Sequence, residues 1–239
     1  MSASTWRAAA LAAALVLPAT AAATSTALPA GPVTLPRDLV APDDPAERGL
    51  RLFAAGFGGR TRLDYSEVDG RLAARGLNVG FARRTSENLT VALSIGTLMG
   101  SSFDGVGEDE DLGSSLLAQG AATWLVLEGY DEDPFVTATF GLTHLRTRTP
   151  GRRLLLTDLS LGVAIGKSFG EVFAPYLAAK AFAGPSTWTW EGDRVNGHDA
   201  NRWAAAVGCV AAFENGVDVQ LEVAPVGARS LTVSVGGWW

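Results

Sequence analysis

The sequence is short of charge. Charged residues make up 18% of its 239 positions, against roughly 25% in an ordinary globular domain. Acidic groups outnumber basic ones, 25 to 19, for a net charge of −6 and a pI near 5.0. Binding to nucleic acid needs a basic face that tracks phosphates, so this balance excludes it as a partner. Cysteine is nearly absent. Cys209 alone cannot build a disulfide framework, and it stands too far along the chain to be a lipid-anchor thiol after a leader. Histidine occurs at only two positions, His144 and His198. There is no phosphate loop, no metal-spaced Cys/His cluster and no nucleophile elbow, so no cofactor is implied and a metal centre is not expected. Long apolar runs are missing as well. No later stretch reaches the roughly 18 uninterrupted apolar residues of a spanning helix, which leaves strands as the material of the fold.

What is present begins with a leader-like N-terminus. Arg7 precedes an apolar core from about Ala8 to Leu17, followed by Pro18 and the small residues Ala19 to Ala23. That order is the build of a secretory signal peptide over residues 1–23, and its core is too short to span a bilayer. Residues 24–49 carry five prolines and no periodicity, which predicts an extended segment between the cleavage site and the fold.

From Leu50 onward the hydrophobic pattern has period two. Leu159, Leu161, Val163 and Ile165 alternate with Asp158, Ser160, Gly162 and Ala164. The same split recurs in Leu89–Ile95, in Val136–Leu142 and in Val217–Val223. It returns in the closing stretch, where Leu231, Val233, Val235 and Trp239 oppose Ser230, Thr232 and Ser234. Connections alternate in length: short polar turns at 84–88, 130–134, 168–171 and 214–216 are interleaved with connections at 66–70, 100–113, 147–152, 184–199 and 225–229. The pattern predicts an all-β fold, an antiparallel up-and-down transmembrane barrel over residues 50–239. About ten strands fit, near 51–65, 71–84, 87–99, 114–128, 134–146, 153–167, 172–183, 201–213, 217–225 and 229–239; eight or twelve fit with shifted boundaries. Segments of this length exceed an ordinary strand and match what crosses a tilted bilayer. Parity places the charges Arg60, Arg62, Asp64, Asp158, Lys180, Arg202, Asp218 and Glu222 in the lumen, four basic and four acidic. Such a set suits an internal network of paired charges or a charged constriction that selects ions.

The leader, the meander of short turns and longer loops, and the terminal aromatic after an alternating strand resemble the small Gram-negative outer-membrane β-barrels of the OmpA, OmpW and OmpX kind. The resemblance covers about residues 50–239. It implies that Leu231, Val233, Val235 and Trp239 form the final-strand signal read by the barrel-assembly machinery, with outer-membrane lipid as the surrounding solvent. The chain departs from that family in ending on Trp239 where Phe is usual and in placing Gly237 where a larger apolar residue would stand.

Chemistry-bearing candidates are few. His198 and Asp199 lie beside Glu191 and Asp193 in the longest connection, where an omptin-like surface protease would hold an Asp/His pair. His144 shares the apolar face with Leu142, as a lipid A deacylase would require, though no Ser and acid partner can be assigned to it. The acidic run Asp104 and Glu108–Asp111 offers oxygen ligands without EF-hand spacing. Trp188 and Trp190 fit an aromatic girdle, and Cys209 fits a small buried hydrophobe. The sequon at Asn88 falls in a short turn. The expectation is a non-enzymatic barrel with a structural or surface role, contacting a ligand through loops 100–113 and 184–199. A narrow channel is the alternative, and an outer-membrane hydrolase the second.

Overall fold

The computed structural model describes residues 49–239 apart from 66–67, 105–108, 130–132, 171 and 214–215. The expected signal peptide and nearly all of the proline-rich segment lie outside the described residues. The strands are β1 (Leu50–Tyr65), β2 (Val68–Arg84), β3 (Leu89–Leu98), β4 (Ser102–Asp104), β5 (Asp109–Asp111), β6 (Ser114–Leu127) and β7 (Phe135–Arg148). They continue as β8 (Arg152–Gly166), β9 (Phe173–Ala183), β10 (Pro185–Trp190), β11 (Asp193–Asp199), β12 (Trp203–Ala212), β13 (Val217–Gly227) and β14 (Arg229–Trp238).

These strands build a closed, antiparallel barrel of ten strands. Around the wall the order is β1, β2, β3, β6, β7, β8, β9, β12, β13, β14 and back to β1. Closure comes from β14 against β1, in register from Arg51↔Trp238 to Arg60↔Arg229. Trp239 and Leu50 extend the seam, the Trp239 N–H donating to the Leu50 carbonyl at 2.8 Å and the Leu50 N–H to the Trp239 carbonyl at 3.2 Å. A closed barrel leaves no unpaired edge. The end carrying Leu50 and Trp238 is called proximal here, and the opposite end distal.

The remaining short strands are extensions of wall strands at the distal end. The register of β9 on β8, Leu159↔Ala183, runs on without a slip into Leu156↔Ser186 of β10, so β9 and β10 are one strand interrupted at Gly184. Trp190 pairs with Asp193 across Glu191 and Gly192, whose φ angles are 50° and 100°. That is the two-residue hairpin turn with both central residues left-handed, which matches the twist of the flanking strands. The β10–β11 hairpin passes over the short β13–β14 turn and zips onto β1 through Leu63↔Asp199 and Asp64↔His198. β4 and β5 likewise lengthen the wall beside β2, through Leu72↔Phe103. The connection 184–199, expected as a surface loop, is therefore largely strand, and 100–113 carries the short strands β4 and β5, so that the barrel ends in a narrower distal dome.

The two faces invert along the barrel axis. Over the proximal and middle part, large apolar side chains such as Val79, Ile95, Trp124, Phe140, Leu161, Val163, Leu177 and Val207 are exposed on the outside. This is the exterior of a transmembrane barrel. In the dome the arrangement is that of a soluble protein: Leu63, Leu72, Phe103, Leu117, Leu145, Leu154 and Leu156 are buried inside. Phe103 tilts against Trp188 at 4.6 Å between ring centres and meets Tyr65 edge-on at 6.0 Å. Each of those leucines contributes about 1.5–3 kcal/mol by leaving water, so the dome has a hydrophobic core of its own.

Candidate functional site

The lumen is the natural place to look for a function, and it is built in tiers. At the proximal end Arg51 points inward from β1 and Asp218 from β13. The Arg51 Nε donates to Asp218 Oδ2 at 2.7 Å, and a second guanidinium nitrogen donates to Oδ1. Both side chains are almost fully buried. Gly236 makes this possible, since a β-carbon there would collide with the Arg51 guanidinium. Phe53 lies under the same guanidinium at 5.1 Å.

One tier further, Glu222 gathers three polar groups. Lys180 Nζ donates to Glu222 Oε1 at 2.5 Å, the Tyr176 hydroxyl donates to Oε2 at 2.9 Å, and Gln220 Nε2 donates to the Tyr176 oxygen at 2.8 Å. Gly208 is the space into which Tyr176 fits. Across the lumen Asn78 Nδ2 donates to Gln119 Oε1 at 2.8 Å and Ser94 Oγ to the same oxygen at 3.2 Å.

Where the barrel narrows, Asp199 accepts from Thr61 Oγ1 at 2.7 and 2.8 Å and from the Asn201 N–H at 2.8 Å. Asp158 faces the same tier from β8, with Gly184 between the two carboxylates in the strand row. A β-carbon on Gly184 would strike Asp158 Oδ1. Among the described residues neither oxygen of the buried Asp158 has a hydrogen-bond partner. Above this tier the Tyr65 hydroxyl, in the dome, is pushed up to about 12, first by burial and further by the charge of Asp199.

Of the eight charges that parity assigns to the lumen, the structure places Asp158, Lys180, Asp218 and Glu222 inside and brings Lys180 and Glu222 together. Arg60, Arg62 and Asp64 instead point outward at the distal end, and Arg202 is exposed between β11 and β12. The reason lies in the inversion of faces. Phe53, Phe57 and Leu63 of β1 are the buried row, so the charges alternating with them stand outside. Arg51, Asn78, Gln119 and Tyr176 also stand in the interior and were missed, and Asp199, expected in a loop beside His198, is interior as well. The signal for Arg51 was its alternation with Leu50 and Leu52, both exposed.

Leu231, Val233, Val235 and Trp239 lie on the outer row of β14 and its continuation. His198 and Asp199 face opposite sides of the wall: Asp199 is interior, whereas His198 is outside with its Nε2 3.9 Å from Asp64 Oδ2. His144 Nδ1 lies 3.0 Å from the Thr157 hydroxyl on the outer face. Trp188 is buried in the dome and Trp190 packs against that core, with Arg152 over its ring at 5.6 Å. Cys209 is half-buried on the outer row. Asp104 is exposed, and Glu108 lies outside the described residues. Among the described residues no group of three or more His, Cys, Asp or Glu side chains is placed to hold a metal ion.

Fold and lumen together define a transmembrane β-barrel with a buried polar interior and an apolar distal core. No family model and no curated protein matches the chain. Solved barrels do resemble it. The translocator domain of the autotransporter NalP from Neisseria meningitidis is 15% identical, with a TM-score of 0.44 over 80% of this chain and 88% of that one. The outer membrane protein OprG from Pseudomonas aeruginosa is 10% identical, with a TM-score of 0.41 over 81% of this chain and 97% of that one. An outer membrane channel from Pseudomonas putida F1 is 10% identical, with a TM-score of 0.44 over 86% of this chain and 100% of that one. Likeness at this distance carries no function across.

Proposed function

We propose that the chain is an integral outer-membrane β-barrel protein of a Gram-negative bacterium. Its lumen is sealed, and its role, structural or surface-interacting, is exercised through the exterior and the distal dome. One observation carries this reading: the polar side chains of the lumen are buried, and Arg51–Asp218, Lys180–Glu222–Tyr176–Gln220 and Asn78–Gln119–Ser94 are bonded to one another. Asn78 is 4% exposed, Gln119 7%, Asp218 2% and Glu222 5%, whereas a water-filled channel leaves its lining wet. The dome core, with Phe103 and Trp188 at its centre, adds a dry layer distal to that polar filling.

The test is ionic conductance of the refolded protein in a planar lipid bilayer, with heat-modifiable gel migration as the control for folding. A folded, inserted barrel that gives no discrete current steps is the expected result. Discrete, salt-dependent steps would overturn the sealed lumen in favour of the narrow channel and would make Lys180 and Glu222 the first residues to mutate.

A further inference from the structure

The tier at which the barrel narrows holds more oxygen than the chain itself bonds. Asp158 of β8 is 4% exposed, and among the described residues neither of its carboxylate oxygens has a hydrogen-bond partner. One layer further into the dome, Ser186 of β10 is completely buried opposite Leu156. Its hydroxyl lies near that of Tyr65, yet neither of the two makes a hydrogen bond of normal geometry. Asp199 of β11 brings a second buried carboxylate, held in place by the Thr61 hydroxyl and the Asn201 N–H. A buried carboxylate without a bonded partner is strongly unfavourable, so the bare oxygens of Asp158 call for an occupant.

Backbone register gathers these groups. Continuing the β8–β9 pairing sets Asp158 opposite Gly184, and continuing the β10–β11 pairing sets Gly184 opposite Asp199. Gly184 thus leaves the row between the two carboxylates without a side chain, and the Asp158 carboxyl leans over it, since a β-carbon there would strike Oδ1. Gly197, opposite Ser186, is covered in the same way by the Tyr65 ring, and the charge of Asp199 is felt at the Tyr65 hydroxyl. The interior cations are engaged elsewhere: Arg51 is bonded to Asp218, and Lys180, four residues proximal of Gly184, to Glu222. What remains at this tier is carboxylate and hydroxyl oxygen, the donor set of a hard cation.

We propose that Asp158, Asp199 and Ser186 bind a divalent cation, calcium, inside the barrel. Two positive charges offset two carboxylates. Calcium accepts an irregular set of oxygens at about 2.3–2.6 Å, whereas magnesium demands a near-ideal octahedron and keeps its waters, which a dry interior does not supply. The ion ties β8 to the β10–β11 hairpin and so pins that hairpin where it passes over the β13–β14 turn. It enters as the barrel closes, because the dome core lies above the site. The proposal goes beyond the sealed-lumen reading and holds whether or not the barrel conducts.

The test uses the full chain refolded in a neutral detergent, once with calcium chloride and once with a chelator. Metal retained after desalting is counted by native mass spectrometry, and stability is read from the temperature at which heat-modifiable migration is lost. Trypsin cleavage after Arg194, exposed on β11, reports on the hairpin itself. The expected result is one calcium per chain, a higher transition temperature and slower cleavage. At free calcium a hundredfold above its Kd, the folded-to-unfolded ratio rises by about a hundredfold. Asp158→Asn abolishes retention and the calcium-dependent gain; in chelator it is as stable as the parent or more so. Ser186→Ala leaves the charge of the site intact and weakens the apparent affinity by about tenfold, which keeps the test decisive should the first variant fold poorly. A parent that retains no calcium and gains no stability from it overturns the proposal. So does calcium retained equally by parent and both variants, which places the ion on the acidic surface, and so does an equal gain from sodium at the same concentration.

Discussion

Two carboxylates of the lumen, Asp218 and Asp158, differ in what surrounds them, and the difference is measurable. Asp218 is bonded to Arg51 through both oxygens. Asp158 is equally buried and has no hydrogen-bond partner among the described residues. Removing one member of a buried ion pair strands the other, at about 3–5 kcal/mol, so Asp218→Asn lowers barrel stability by that order in a urea titration. In calcium-free buffer Asp158→Asn removes an unpartnered buried carboxyl and is neutral or stabilising, by about 1 kcal/mol. Equal losses for the two variants would contradict the assignment. Legibility at this scale was uneven for a physical reason. Asp158 and Glu222 stand beside rows that are apolar through Leu159–Ile165 and Val217–Val223, and parity alone puts them inside. Arg60, Arg62 and Asp64 stand where both rows of β1 carry apolar residues and the sense of inside and outside has reversed.

Among the elements, the β10–β11 hairpin decides what kind of surface the distal end presents. Its turn lacks the Asn-Gly or Asp-Gly pair that announces a two-residue hairpin, which is why residues 184–199 read as a loop. Gly184, Pro185 and Gly192 reinforced that impression, although the register on β8 runs straight through the first two. Glu191 holds a left-handed φ of 50° that costs roughly 1–2 kcal/mol for a residue with a Cβ. Glu191→Asn is therefore stabilising by about 0.5–1 kcal/mol, and Gly192→Val destabilises the dome by a similar or larger amount; thermal melts followed by tryptophan fluorescence would read both. The dome also has a pH signature. Tyr65 holds its proton to about pH 12 when folded, above its usual range near 10. Between these values the unfolded chain has released a proton that the folded one retains, so stability is full below pH 10 and falls as pH rises toward 12. Tyr65→Phe removes this part of the alkaline loss, and a parent and variant with identical alkaline melts would refute it.

For the whole molecule, the organising fact is that one wall serves two solvents. Along β8 the outer row passes from Ile165, Val163, Leu161 and Leu159 to Thr157 and then Arg153, while the inner row passes from Ala164 and Gly162 to Asp158 and then Leu156 and Leu154. Strand number, antiparallel order and the apolar exterior of the membrane part were legible because period-two alternation holds along most of each strand there, broken by register shifts at Leu125/Leu127 and Ala205/Val207. The dome was not, because a soluble-type core on the same strands reverses the rule that identifies the lipid face, and nothing local in the sequence marks the level of reversal. The most direct test is collision accessibility of spin labels at single cysteines in a Cys209→Ser background, with the protein reconstituted in lipid vesicles. Labels at Leu161 and Val163 should collide with oxygen dissolved in the bilayer and be shielded from a water-soluble nickel chelate, and labels at Arg153 and Asp64 should show the reverse. Free access of the nickel chelate to Leu161 and Val163 in the folded protein would contradict the account.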